Sequence, residues 1–179
     1  MPAIRGTLAG NTKMLHSLTI ISGGQTGADR AALDWAIREG FPHGGYCPKG
    51  RLAEDGVIPA HYQLKETSSP LYPARTQENV RHATATVLFT RTGKMTRGCE
   101  LTQKLAARHK KPLLHLTTRA ADAPQKLAEF IRKHKVRSLN VAGSRASSAP
   151  EIGSFVAEVL SGAHQLLEGA DVSWLNSRR

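Results

Sequence analysis

Ile20-Ile21-Ser22-Gly23-Gly24-Gln25-Thr26-Gly27-Ala28-Asp29-Arg30 passes from an apolar run through a glycine-rich turn straight into helical sequence. That order, strand then turn then helix, is the opening unit of a parallel α/β fold. It also makes a candidate anion site: glycines allow close backbone approach, and the first helical turn offers unpaired N–H groups at the positive end of the helix dipole. The spacing of Gly23, Gly24 and Gly27 fits neither the dinucleotide G-x-G-x-x-G nor a P-loop, and no Lys-Ser/Thr pair follows. A tight turn with no ligand is the alternative reading of the same residues.

Outward from this stretch, apolar runs alternate with segments of helical period. Strands are expected near 18–22, 85–90, 112–116 and 138–142, with a shorter one near 44–47. Helices are expected near 27–39, 74–83, 98–109, 123–134 and 151–161. The first carries Leu33, Ala36 and Ile37 on one face and stops at Gly40, suited to a left-handed cap. Residues 50–73, with Pro59, Pro70 and Pro73 and little periodicity, read as a long ordered loop. The sum is an α/β, Rossmann-like open sheet, mostly parallel, with helices on both faces. One domain over 17–165 is expected, between an N-terminal tail at 1–16 and a C-terminal tail at 166–179.

The 179 residues, 40% of them hydrophobic, suit a single core. No apolar run approaches the ~20 residues of a membrane span, and no signal peptide is visible, so a cytoplasmic protein is expected. Cys47 and Cys99 are too few for a disulfide framework and lack zinc-site spacing, and the eight His are scattered, so no metal site is expected. The net charge of +11 is uneven: residues 101–137 hold ten Lys/Arg against Asp122 and Glu129. Those bases fall between Leu101, Leu105, Leu127, Phe130 and Ile131, as on the solvated faces of two amphipathic helices; a polyanion-binding face is the other reading. Aromatic content of 5% gives little support to base stacking of the single-strand kind.

Ligands of open parallel sheets bind beyond the carboxyl ends of the strands. Three loops belong there: Gly23–Gly27, Thr90–Cys99 with Thr96, Arg97 and Gly98, and Gly143–Arg145. Within the first, Gln25 and Thr26 add polar side chains. Asp29 can bond the loop amides or touch a ligand, and Arg30 can bind phosphate or pair with Asp34. Lys49-Gly50-Arg51 and Glu54-Asp55-Gly56 form a charged cluster open to two readings, ligand contact or a self-paired surface turn. Arg75, Asn79 and Arg81 lie on a helix, for a structural, interface or anion-binding role. Cys99, near a helix start, reads as a buried inert thiol, and Trp35 as core or interface.

Read whole, Ser22 through Asp34 resembles the signature SGGQTG-x-DRAALD of the molybdenum carriers, the molybdenum cofactor carrier family. The likeness continues through Pro42–Arg51, Ala53–Gly56, Pro59, Leu64–Thr67, Arg75-Thr76, Asn79–Arg81, Asn140–Arg145 and Ala149–Ile152. It covers roughly residues 18 to 160. Around Thr96 the chain departs from the family's Ser/Gly-rich stretch, carrying Lys94, Met95, Arg97, Cys99 and Glu100. The resemblance implies a single Rossmann-type domain related to the lonely-guy phosphoribohydrolases and to DprA-like proteins. It also implies a homo-oligomer, dimer or tetramer, that binds molybdenum cofactor as cargo and not as a catalytic group.

The reading that follows is a carrier for an anionic phosphorylated ligand, molybdenum cofactor or a related pterin or nucleotide, on the Gly23–Gly27 loop. The molybdenum would arrive chelated by its own dithiolene, so few protein ligands are needed. The alternative is a nucleotide N-glycosidic or phosphate hydrolase, with Glu54 or Asp55 activating water and Arg51 or Arg30 holding phosphate; the PGG-x-GT-x-x-E motif of the lonely-guy enzymes is absent. A third reading is a nucleic-acid or signalling-nucleotide module.

Overall fold

The computed structural model describes residues 18–176, with side chains through residue 169. The expected tail at 1–16 lies outside the described residues. Five parallel strands form the central sheet: β1 (Thr19–Ile21), β2 (His43–Gly44), β7 (Ala85–Thr90), β8 (Leu113–Thr117) and β9 (Ser138–Gly143). Their spatial order is β2-β1-β9-β7-β8, so the last strand inserts between β1 and β7 and forms the centre of the sheet. In register, Ile20 sits beside His43 and Leu139, and Thr86 beside Asn140 and Leu113. Every residue of β7 is buried, as expected for a near-continuous apolar run covered on both faces.

Helices α1 (Ala28–Glu39), α4 (Ala123–Lys133) and α5 (Ile152–Asn176) pack together on one side. Helices α2 (Tyr72–His82) and α3 (Arg97–Arg108) pack on each other around Val80, Leu105 and Ala106. The fold is thus α/β and Rossmann-like. Helix α1 ends as its sequence predicts, on Gly40 in the left-handed conformation, whose N–H bonds the Ala36 and Ile37 carbonyls. Leu33 and Ala36 are buried, but Ile37 is exposed, because the inward stripe runs through Ala28, Ala32, Trp35 and Ala36 instead. Trp35 is core: it stacks on Phe41 at 4.8 Å and donates its indole N–H to the Ser161 hydroxyl at 3.0 Å. That leaves its face of α1 unavailable to another subunit.

Two expectations change. The helix expected at 151–161 continues to Asn176, across much of the segment read as a tail. Ala163 and Leu167 keep its apolar stripe in the core, and Gly162, set against Pro124, marks a close helix contact and not a helix end. The expected strand at 44–47 is split at Gly45, whose φ of +130° carries the chain tightly past Ser22. Beyond the split, β3 (Tyr46–Cys47) pairs with β6 (Lys65–Glu66), and β4 (Leu52–Ala53) forms a hairpin with β5 (Gly56–Val57). The 50–73 loop therefore contains short strands and closes on its own small core of Leu33, Cys47, Ile58 and Tyr62.

The basic 101–137 segment is amphipathic as read, with Leu105 and Leu127 buried and Leu101, Phe130 and Ile131 partly so. Several of its bases serve the fold: Lys111 donates to the Ala83 carbonyl at the end of α2, Arg132 to the Leu166 carbonyl, and Lys126 pairs with Asp122. Among the described residues no helix is long and apolar enough to cross a membrane.

Candidate functional site

Where β1, β7 and β9 end, their following loops meet the start of α2 around a cavity of about 500 Å³, within the range of small-molecule sites. Seven of the residues singled out in the sequence line it: Gln25, Asp29, Thr96, Arg97, Gly98, Gly143 and Arg145. Tyr72 and Asn140 line it too and were missed as ligand candidates, and Arg75, read as structural, interface or anion-binding, joins them. Asn140 had a signal, a polar residue inside an apolar strand; its amide donates to the Thr86 hydroxyl across the ladder at 3.2 Å. Arg75 had one in its helical spacing with Asn79, but its partner, 46 positions back in the chain, is set by the fold.

At each glycine of the turn, the place a side chain would take is already occupied by the protein's own atoms. The space beside Gly23 is taken by the Arg75 side chain, and that beside Gly24 by Leu64 and Ile58. Gly27, at φ +82°, lets the turn lie against the Ser144–Ala146 backbone, and the Ala28 N–H donates to the Ser144 carbonyl at 3.1 Å. At the centre stands Asp29, 3% exposed. Its carboxylate accepts from the Gln25 N–H at 3.3 Å and from Arg75 Nη1 at 2.9 Å. Burial pushes the Asp29 carboxyl above its ordinary range, against the pull of Arg75 and of the Gln25 and Gly23 amides. Asp29 thus bonds a loop amide, one of the two roles its sequence position left open, and pairs with Arg75 as well.

Gln25 Oε1 accepts from the Thr26 and Glu54 N–H groups at 3.0 and 2.9 Å, while its Nε2 and the Nε of Arg75 are buried without partners. The other predicted contacts lie outside the cavity wall. Arg30 clasps Asp55 through two bonds of 2.5 and 2.8 Å and donates to the Gly24 carbonyl; Asp34 instead accepts the Tyr62 hydroxyl at 2.6 Å. Arg30 accordingly holds the Asp55 carboxyl below its ordinary range. Arg51, at φ +53°, spends its guanidinium on the carbonyls of Ile58, Pro59, Tyr62 and Leu64. The Lys49 N–H donates to the Ser69 carbonyl, and the Gly50 N–H to Glu66. Of the two readings of this charged cluster, the geometry is that of a self-paired turn bracing the loop.

Glu54 ties three segments together, accepting from the Thr26 hydroxyl and from the Ser147 hydroxyl and N–H at 2.6 and 3.3 Å. The Ser147 and Thr26 hydroxyls hold its carboxyl below the ordinary value of 4.5. A folded value below the unfolded one means the stabilisation is complete above the unfolded pKa and is lost as pH falls through the folded one. Amide protection at Glu54 and Ser147 is therefore expected to weaken on acidification below about pH 4.5 and to show no such step in Glu54→Gln, read by hydrogen exchange. Equal protection at neutral and acid pH in the unsubstituted protein counts against the tie.

The rest of the wall comes from the loops after β7 and β9 and the starts of α2 and α3. Thr96 caps α3, its hydroxyl accepting from the Cys99 N–H at 3.4 Å, and the preceding amides at Arg97 and Gly98 have no intrahelical acceptor by geometry. Arg97 is exposed, Cys99 is buried in the wall, and Arg145 lies over the Tyr72 ring. Among the described residues, no group of three or more His, Cys, Asp and Glu is arranged to hold a metal ion. The one carboxylate on the wall is Asp29.

A family model described as the circularly permutated YpsA SLOG family matches residues 20–164. Among solved structures, the chain is similar to the Putative molybdenum carrier protein of Syntrophus aciditrophicus SB. The two are 42% identical with a TM-score of 0.79, over 81% of this chain and 93% of that one. No curated protein matches the chain.

Proposed function

Because the chain belongs to the circularly permutated YpsA SLOG family, we propose that it binds a small anionic, phosphorylated ligand in the cavity at the ends of β1, β7 and β9, and retains it without turnover. The name of the Syntrophus relative makes molybdenum cofactor, or a related pterin or nucleotide phosphate, the cargo to test first. The phosphate is assigned to the start of α3 and to Arg97 and Arg145, not to the glycine turn. The observation that carries this is the distribution of charge on the wall: two arginines outside any salt bridge among the described residues and a helix N-terminus face the cavity, and the single acid is paired with Arg75. Helix N-termini and guanidinium groups are the usual phosphate holders.

Retention is favoured over hydrolysis because Glu54 and Asp55, the acids considered for activating water, are occupied by Thr26, Ser147 and Arg30. Calorimetric titration with molybdenum cofactor and with 5′-AMP, followed by product analysis, tests the reading. One or both are expected to bind unchanged, and Arg97→Ala to weaken binding about tenfold or more, the loss of one charge-assisted hydrogen bond. Released base or phosphate at a catalytic rate, or affinity indifferent to Arg97, overturns it.

A further inference from the structure

We propose that Tyr72 is the platform on which the planar ring of the ligand stacks, and that Arg145, which covers that ring in this structure, yields its place to the ligand and turns to the ligand's phosphate. The proposal rests on the phosphate-site reading above and adds to it the recognition of the ligand's other half. Tyr72 is the one aromatic residue on the cavity wall. It is the first residue of α2, ahead of Pro73, where a missing N–H costs the helix nothing. The Thr76 hydroxyl donates to its carbonyl at 3.0 Å, fixing the start of the helix and with it the ring's root.

The guanidinium carbon of Arg145 lies 4.9 Å from the centroid of the Tyr72 ring. Unlike Arg30 and Arg75, it forms no salt bridge among the described residues, its nearest acid effect being a longer-range pull on Glu54, and unlike Arg51 it does not spend its donors on backbone carbonyls. Arg145 is exposed, so this cation–π contact belongs to the weak, solvated kind. A flat heteroaromatic ring presents the same stacking face as a guanidinium with more area, and stacking tolerates any base because every base has a π face. Once displaced, Arg145 carries a planar fork of donors that matches phosphate geometry. A pterin or purine phosphate therefore suits both halves of the cavity, whereas a bare sugar phosphate uses only one.

The test is calorimetry of the full chain, Tyr72→Ala, Tyr72→Trp and Arg145→Ala with 5′-AMP and with ribose 5-phosphate at one salt concentration. Tyr72→Ala is expected to weaken 5′-AMP about tenfold or more and to leave ribose 5-phosphate within about twofold. Tyr72→Trp should recover the nucleotide, and its melting temperature should show an intact fold. Arg145→Ala should weaken both ligands. Equal losses for both ligands in Tyr72→Ala, or an unchanged affinity for 5′-AMP, overturn the platform while leaving the phosphate site standing. If the unsubstituted chain binds neither ligand, the platform falls, and the phosphate-site reading falls with it when molybdenum cofactor also fails to bind.

Discussion

Replacing Asp29 with Ala is expected to lower the stability of the fold by about 3–5 kcal/mol, the cost of stranding one member of a buried ion pair. Asp29 and Arg75 are almost fully enclosed, with 4% and 13% of their side chains exposed. Loss of the carboxylate also frees the Gln25 N–H next to two donors that already lack partners, Gln25 Nε2 and Arg75 Nε. The measurement is urea denaturation, read as a fall in midpoint at constant slope. Arg75→Met, which exchanges the guanidinium for an apolar chain of similar length, should cost less, because Asp29 keeps its backbone donors. The double variant should then fall short of the sum of the single losses. A loss below about 1 kcal/mol in Asp29→Ala would place the pair with ordinary surface bridges and remove it as the keystone of the glycine turn.

The second large effect is expected from Gly27→Ala, at about 2–5 kcal/mol, from backbone strain and overpacking together. Gly27 sits at φ +82° and ψ −124°, where a side chain is strained whatever the space. An added Cβ would also stand 2.5 Å from the Ser144 carbonyl oxygen and 2.7 Å from the Ala146 nitrogen. Both obstacles are backbone, so the Ser144–Ser148 loop must move, taking Arg145 and Ser147 from the cavity wall. Ligand affinity should therefore drop together with stability, although Gly27 itself does not line the cavity. Gly93→Ala, with nothing within 4 Å and no positive φ, is the matched control and should be near neutral. If Gly27→Ala binds ligand normally, the coupling between the turn and the β9 loop is not what shapes the site.

Both predictions show where the sequence was readable. The apolar run ending at Ser22, the helix start at Ala28 and the stop at Gly40 are local signals, and the structure has each within a residue or two. The importance of the glycine turn was also legible, though not its purpose. Three glycines look alike whether they make room for a phosphate or for Arg75, Leu64 and the Ser144 carbonyl. The loop after Gly50 was harder: Arg51 organises it through four carbonyls, an arrangement without periodicity. Tyr72 and Arg145 are 73 positions apart, and nothing near either in the chain marks their contact.

What the sequence by itself determined are the elements and their class. Whether a stretch coils or extends, and which face it buries, depends on side chains one to four positions away, and 3.6-fold and two-fold patterns record that directly. The tertiary structure decided the partners. The insertion of β9 between β1 and β7 brings Ser144 onto Gly27 and Ser147 onto Glu54, and the packing of α2 brings Arg75 onto Asp29. Charges and hydrogen-bonding groups satisfy one another through space with no regard for chain distance. Asp29, open in one dimension to the loop amides or to a ligand, therefore meets in three both the Gln25 amide and an arginine from another helix.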